Sequence, residues 1–420
     1  MYQQTILDNQ LRVLTVALPG ARSLCVGVYL AVGSRYESEA ESGASHYIEH
    51  MLFKGTRRRR ARDIANVIES VGGVANASTG RETTTYYTLV TPQHLEVALD
   101  LLSDMLLDSV FRPRELERER GVIIEEINRT LDTPDELVFE LISGLEWPDS
   151  PLGRSIAGSH TSVSEMTRRR LLRFLARHYL PNAGAIVVAG PVEHEPVVAR
   201  VARYLLPWQP GQPCEPQPAA ARSGTSQLAL EVRGTEQAQI CLSLRGVARR
   251  DPDRFAVDIL TSVLGDGMGS RLFQEIRERR GLAYAVDASS SHLRDTGALV
   301  VYAGVPPEKA DQALTAIVAE LDRLRRRLVT RSELERAKEY TKGRLLLGLE
   351  TPAANAGWVG SQVVQGLDVL TPEQWIAALD AVTADDVRRV ARRLFDGAAP
   401  HLALVGPCGD ADRVTPLLAL

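Results

Sequence analysis

No run of about 20 apolar residues, the length a membrane-crossing helix needs, occurs in this 420-residue chain. The longest, residues 24–33, is half that length, so a helical membrane span is excluded and no membrane partner is expected. An excess of one charge is also missing. Lysine and arginine total 49 against 53 aspartates and glutamates, a formal net charge of −4, which leaves no global field for nucleic acid or anionic lipid. Cysteine is sparse. Cys25, Cys214, Cys241 and Cys408 lack the short paired spacings of a thiolate metal site or a disulfide framework and are expected as free thiols. Residues 1–20 show no cationic stretch leading into an apolar one and alternate like a strand. The expected location is therefore cytoplasmic, although a mature organellar chain has the same appearance. Hydrophobic residues at 44% and charged residues at 24% sit near the globular average, which rules out disorder, collagen-like repeats and coiled coil.

At roughly 100–200 residues per domain, the length calls for two to four domains. The clearest composition break is residues 206–224 (LPWQPGQPCEPQPAAARSG), where five prolines and little apolar periodicity mark a linker. The expected division is a domain of residues 1–205, the linker 206–224 and a second domain of residues 225–420. These halves repeat one another. Residues 167–191 (TRRRLLRFLARHYLPNAGAIVVAGP) and 383–407 (TADDVRRVARRLFDGAAPHLALVGP) both read as threonine N-cap, amphipathic helix, short loop, apolar strand and Gly-Pro, at an offset of 216. The tetrapeptide ELER recurs at 115–118 and 333–336, an offset of 218. Pro92 and Pro306 each separate a strand pattern from an amphipathic helix, an offset of 214. Offsets that drift so little through three ordered landmarks indicate internal duplication. Strand patterns at 11–17, 23–31 and 83–90, with their second-half equivalents, lie among several long helices. The fold class is α+β: two homologous domains, each a mostly antiparallel sheet packed with helices.

The chemistry concentrates in a helix-compatible run, Ser45-His46-Tyr47-Ile48-Glu49-His50-Met51. On a helix, residues four apart rise about 6 Å and stay within about 40° of one face, so His46 and His50 present both imidazoles to one ion. Glu49 projects from an adjacent line. This is the inverted HxxEH arrangement of zinc hydrolases, in which the glutamate acts on water and does not ligate the metal. Eight histidines in the chain make about 0.01 such patterns expected by chance. Zinc favours three protein groups plus water, so a third ligand must come from elsewhere. The best segment is residues 116–129 (LERERGVIIEEINR), a helix on which Glu119 and Glu126, seven apart, share one stripe. Charged helices commonly carry such carboxylates at the surface, and spacing alone does not choose between the two roles.

HYIEH (46–50), with FKGT (53–56), GGVANASTGRETTTYY (72–87), ERERGVIIEEI (117–127) and PLGRSIAG (151–158), closely resembles the insulinase or pitrilysin family of zinc metallopeptidases. The style is nearest to the processing peptidase β-subunit of mitochondria and its bacterial homologues. The likeness covers nearly the whole chain. It implies that Glu126, 76 positions after His50, is the third zinc ligand, that Glu119 supports the site from behind, and that Glu49 is the general base. One Zn2+ per chain follows. Glu119 and Glu126 map at offset 218 onto Ala337 and Arg344, so only the first half carries the metal. The implied activity is that of a zinc endopeptidase acting on extended or unfolded peptides.

The same resemblance implies further roles. Asn76 and Ala77 lie in the segment that takes substrate in as an added β-strand. Arg277 and Tyr284, in GSRLFQEIRERRGLAYAV (269–286), bind substrate near the scissile bond, where a guanidinium and a phenol can donate to a developing oxyanion. Glu136 and Glu140, on a helix predicted over residues 135–145, match carboxylates that receive a basic side chain near the cut. Four repeat units around a chamber imply a homodimer, with Arg277 and Tyr284 of one subunit completing the zinc site of the other. The arginine run 57–60 reads as a solvated loop. The alternative function is a noncatalytic scaffold or partner subunit of the same family; a zinc hydrolase acting on a non-peptide substrate is the other rival.

Overall fold

The computed structural model describes residues 2–220, 225–407 and 410–418. Strands β1 (Tyr2–Ile6), β2 (Arg12–Ala17), β3 (Leu24–Leu30), β4 (Val74–Thr79), β5 (Thr84–Val90) and β6 (Gly184–Gly190) form one sheet in the order β1-β2-β6-β3-β5-β4. Only β2 and β6 run parallel; the other pairs are antiparallel. The composition explains the positions. β3 (LCVGVYL) and β6 (GAIVVAG) are buried along their whole length and sit centrally. β4 (VANAST) alternates exposed and half-buried residues and takes an edge.

The second sheet repeats this plan. Strands β7 (Leu228–Val232), β8 (Ala238–Arg245), β9 (Ala285–His292), β10 (Gly297–Val305) and β11 (His401–Gly406) are ordered β7-β11-β8-β10-β9. Matching β7 to β2, β8 to β3, β9 to β4, β10 to β5 and β11 to β6 reproduces the order of the first sheet without β1. The parallel pair recurs in place as β7 and β11. Both sheets are mostly antiparallel and helix-packed, as the sequence patterns require.

By compactness, the chain forms two units, neither of them continuous in sequence. One comprises Met1–Asn128, Arg154–Gln217 and Leu346–Thr371; the other comprises Arg129–Gly153, Pro218–Leu345 and Pro372–Leu420. The division expected at residues 206–224 follows the order of the repeats along the chain, whereas compactness exchanges a helix between them. Helices α1 (Ala44–Leu52), α2 (Leu95–Asp108) and α3 (Pro113–Asp132) precede α4 (Pro134–Glu146), and α5 (Arg331–Gly348) precedes α6 (Pro352–Val364). In the second unit, α4 sets Leu137, Val138 and Ile142 against Cys241, Ala403 and Val405 of β8 and β11. In the first unit, α6 sets Ala356, Val359 and Val363 against Tyr29, Ala185 and Val187 of β3 and β6. Gly360 permits that approach: a Cβ there would meet the Tyr29 ring at 2.4 Å.

The arginine run is the expected loop, with Arg57, Arg58 and Arg60 exposed, but it is also tied down: Arg59 is half-buried, and Arg58 and Arg59 both pair with carboxylates. Asp104 of α2 is buried, a position at which a carboxyl needs cationic partners. Arg58 Nε reaches its Oδ1 at 3.0 Å and Arg59 Nη1 its Oδ2 at 2.5 Å, with Asp100 also paired to both arginines. Cys25, Cys214 and Cys241 are free thiols, and Cys408 lies outside the described residues. No helix among the described residues is long and apolar enough to cross a membrane.

Candidate metal centre

Helix α1 (ASHYIEHML) divides cleanly by face. Ala44, Ser45, Tyr47, Ile48, Met51 and Leu52 are buried, which turns His46, Glu49 and His50 toward a half-buried surface. Helix α3 is brought to that surface by its own apolar positions, Leu116, Ile123 and Ile127, which enter the same core as Tyr47, Ile48 and Met51. Tyr47 ties the two helices directly, its hydroxyl donating to the Leu116 carbonyl at 2.6 Å.

The three expected ligands converge. One oxygen of Glu126, Oε2, lies 3.7 Å from His46 Nε2 and 3.6 Å from His50 Nε2. One ligand atom from each of the three residues falls within 4.8 Å of the others, and no second such group occurs among the described residues. Contacts of 3.6 and 3.7 Å are too long for hydrogen bonds. They are close to the ~3.3 Å separation of donors held at about 2.0–2.1 Å by one tetrahedral ion. The donor chemistry fits zinc equally well. Burial, and secondarily the neighbouring His50, pushes the His46 imidazole down to about 4, so it is neutral at pH 7 with its lone pair available.

Behind the ligands, His50 Nδ1 faces Glu119 Oε2 at 3.1 Å, and Lys54 Nζ donates to Glu119 Oε1 at 2.8 Å. A proton on Nδ1 directed at Glu119 leaves Nε2 as the metal-facing acceptor. Glu119 is buried and Glu126 half-buried, so residues on one helical stripe take different depths. His46 Nδ1 is buried without a hydrogen-bond partner among the described residues.

Glu49 stands beside this group. Its Oε2 accepts a hydrogen bond from Thr79 Oγ1 at 2.5 Å. Burial holds its carboxyl above the ordinary range; Thr79 and His50 oppose that shift, and Glu126 adds to it. Thr79 ends β4, the strand that carries Asn76 and Ala77, whose outer edge has no strand partner among the described residues.

The contacts of Thr79 with Glu49 and of Lys54 with Glu119 are ones that sequence reasoning did not foresee. Their signal was present: Thr79 and Lys54 fall inside the segments GGVANASTGRETTTYY and FKGT. The remaining expected residues belong to the second unit. There the Arg277 guanidinium lies over the ring of Tyr284 at 5.3 Å and of Phe273 at 4.8 Å, and Tyr284 is 73% exposed. Glu136 and Glu140 lie one turn apart on α4, where Glu136 accepts from Thr130 Oγ1 at 3.0 Å. Ala337 and Arg344, on α5, occupy the places of Glu119 and Glu126 in the repeat and supply no carboxylate.

Comparison with known proteins follows the same lines. Residues 12–160 match the family described as insulinase (peptidase family M16), and residues 165–340 match the peptidase M16 inactive domain. An uncharacterized zinc protease of Streptomyces coelicolor is 38% identical over 414 residues, covering 97% of this chain and 90% of its own. Another from Bacillus subtilis is 33% identical over 411 residues, covering 98% and 99%. A solved structure, a protease from Helicobacter pylori, superposes with a TM-score of 0.91 at 24% identity, covering 96% of this chain and 99% of that one.

Proposed function

The chain belongs to the insulinase family, peptidase family M16, and from that premise we propose that it is a zinc-dependent endopeptidase acting on extended or unfolded peptides. The observation that carries this reading is the convergence of His46, His50 and Glu126 beside a separately held carboxylate, Glu49. His46, His50 and Glu126 would hold zinc, which when bound would supply a Lewis acid for a peptide carbonyl and for water. The chain's own groups do the rest. Glu49 removes a proton from the attacking water and returns it to the leaving amine, a role suited to a carboxyl whose burial raises its affinity for protons. Glu119 fixes the His50 tautomer, and Lys54 holds the other Glu119 oxygen in place.

Substrate recognition in this reading is mostly main-chain. A peptide adds as a strand along the outer edge of β4, at Asn76 and Ala77, which orders it with little demand on its sequence. Glu136 and Glu140 favour a basic side chain near the cut; peptide libraries indifferent to arginine in both wild type and the double glutamine variant remove this element. A homodimer places the exposed Arg277 and Tyr284 pair of one subunit at the metal centre of its partner. Mixed dimers of Glu49→Gln and Arg277→Ala subunits regain one intact site if the arrangement is in trans, and regain none otherwise.

The central test measures bound metal and peptide hydrolysis together. Wild type is expected to hold one zinc per chain and cleave a fluorogenic peptide. Glu49→Gln is expected to hold zinc equally well and lose at least about 10³-fold in kcat, since the general base and the polarity beside the reacting water go together. Full activity in that variant rejects the mechanism.

A further inference from the structure

Glu37 is a buried carboxyl that no step above uses. It lies at the end of a turn (Ser34–Tyr36) and is 3% exposed. Its two oxygens reach the start of α1: Oε2 accepts from the Gly43 N–H at 2.8 Å and Oε1 from the Ser45 N–H at 2.7 Å. These are donors that a helix N-terminus leaves without an intrahelical partner. No side chain of the N-cap residue serves them, because that residue is Gly43.

The neighbourhood locks this contact from several directions. Gly43 has φ +88°, and a Cβ there would meet the Ala157 carbonyl oxygen at 2.6 Å, so the chain passes too closely for any other residue. Arg154 Nη2 donates to the main-chain oxygen of Glu37 at 2.5 Å. Two residues before Glu37, Arg35 forms a buried ion pair with Glu82 at 2.5 Å. Helix α1 has only nine residues, too few to hold itself in place, so its position is set by such tertiary contacts. His46 is the residue after the second of the two donors.

On these grounds we infer that Glu37 is a positioning residue for the metal centre: by gripping the Gly43 and Ser45 N–H groups it sets the depth and rotation of α1, and through them the aim of His46 and His50. The carboxyl acts from behind the helix and touches neither ligand. Both oxygens are needed as acceptors. A glutamine keeps the shape but replaces one oxygen by an NH2 group that meets a backbone N–H head-on. An aspartate keeps two oxygens on a stem too short to reach both N–H groups without moving the helix.

This inference rests on the zinc reading above, and the test separates the two. Zinc affinity is measured on the full chain by competition with a chromophoric chelator. The absorption band of the cobalt-substituted protein reports ligand geometry, and circular dichroism reports folding. Glu37→Gln is expected to fold, to bind zinc about 10–100-fold more weakly, and to show a shifted cobalt band. A folded Glu37→Gln protein with wild-type affinity and an unshifted band overturns the inference, leaving Glu37 a stabilising contact only. If Glu37→Gln does not fold, Glu37→Asp decides in the same way: weaker zinc binding and a shifted band support the role, and wild-type values overturn it. Wild type that binds zinc, loses it in His46→Ala, yet cleaves no peptide removes the peptidase reading and leaves the Glu37 measurement valid. Wild type that binds no zinc removes both.

Discussion

Thr79 donates its hydroxyl hydrogen to Glu49 Oε2 across 2.5 Å, so the edge strand that would receive a substrate and the carboxyl that would activate water are one hydrogen-bonded unit. Each constrains the other. Thr79→Val keeps the branched shape that suits a strand and deletes the donor. The expected result is unchanged zinc content with kcat lower by about 10–100-fold, the worth of one hydrogen bond to a charged acceptor. Thr79→Ser is expected to retain most of the activity. Equal kcat in the valine variant and wild type argues that the contact is incidental.

Glu119 and Lys54 are expected to act on zinc affinity through His50, which Glu119 faces. Glu119→Ala removes the group facing His50 Nδ1, and zinc affinity is expected to fall about 10–100-fold. Lys54→Met leaves Glu119 buried with its charge less compensated, and a smaller loss in the same direction is expected. Chelator competition measures both. An unchanged affinity in Glu119→Ala would show that packing alone fixes the ring.

Metal binding also shows in thermal stability, because a ligand that binds only the folded chain raises its melting temperature. Adding zinc to the chelator-stripped protein is expected to raise Tm for wild type and for Glu49→Gln. The shift should be lost or strongly reduced in His46→Ala and Glu126→Gln. A zinc-dependent Tm in Glu126→Gln equal to that of wild type excludes Glu126 as a ligand, and loss of the shift in Glu49→Gln makes Glu49 one.

Acid stability has a separate source in the first unit. His178 is buried against Phe174, ring centroids 4.3 Å apart, and its Nε2 accepts from Arg177 Nε at 2.8 Å. Burial, then the Arg177 charge, pushes its imidazole down to about 4. The unfolded chain, with an ordinary value near 6.5, therefore takes up a proton first as pH falls. Stability is unaffected by this group above about pH 6.5, is lost progressively between about 6.5 and 4, and falls no further below that. The loss is on the order of 3 kcal/mol. His178→Gln is expected to fall less steeply than wild type across that window in denaturant titrations at fixed ionic strength. Parallel profiles for the two proteins would remove His178 as the cause.

Much of the site was legible because its information is local. Four-residue spacing on a helix suffices to bring His46 and His50 to one face, and Glu49 follows from the same period. The expected third ligand was not legible in that way. Glu119 and Glu126 share a stripe, and only the resemblance to the family distinguished the ligand from its support; the depth of α3 against α1, fixed by Leu116, Ile123 and Ile127, gives that distinction its physical form. The ion pairs of the arginine run were hidden for a related reason. Its charges suggested solvent, but the buried carboxylate that claims Arg58 and Arg59 lies more than 40 residues away on α2.

The sequence by itself determined the repeat, the helix that carries the histidines and the strands of each sheet, since periodicity and capping act over a few residues. Tertiary structure alone decided which carboxylates meet those histidines, which unit each of α4 and α6 packs into, and that Thr79, Lys54 and Glu37 surround the centre. Those outcomes depend on burial and on hydrogen-bond partners distant along the chain, which no local pattern records.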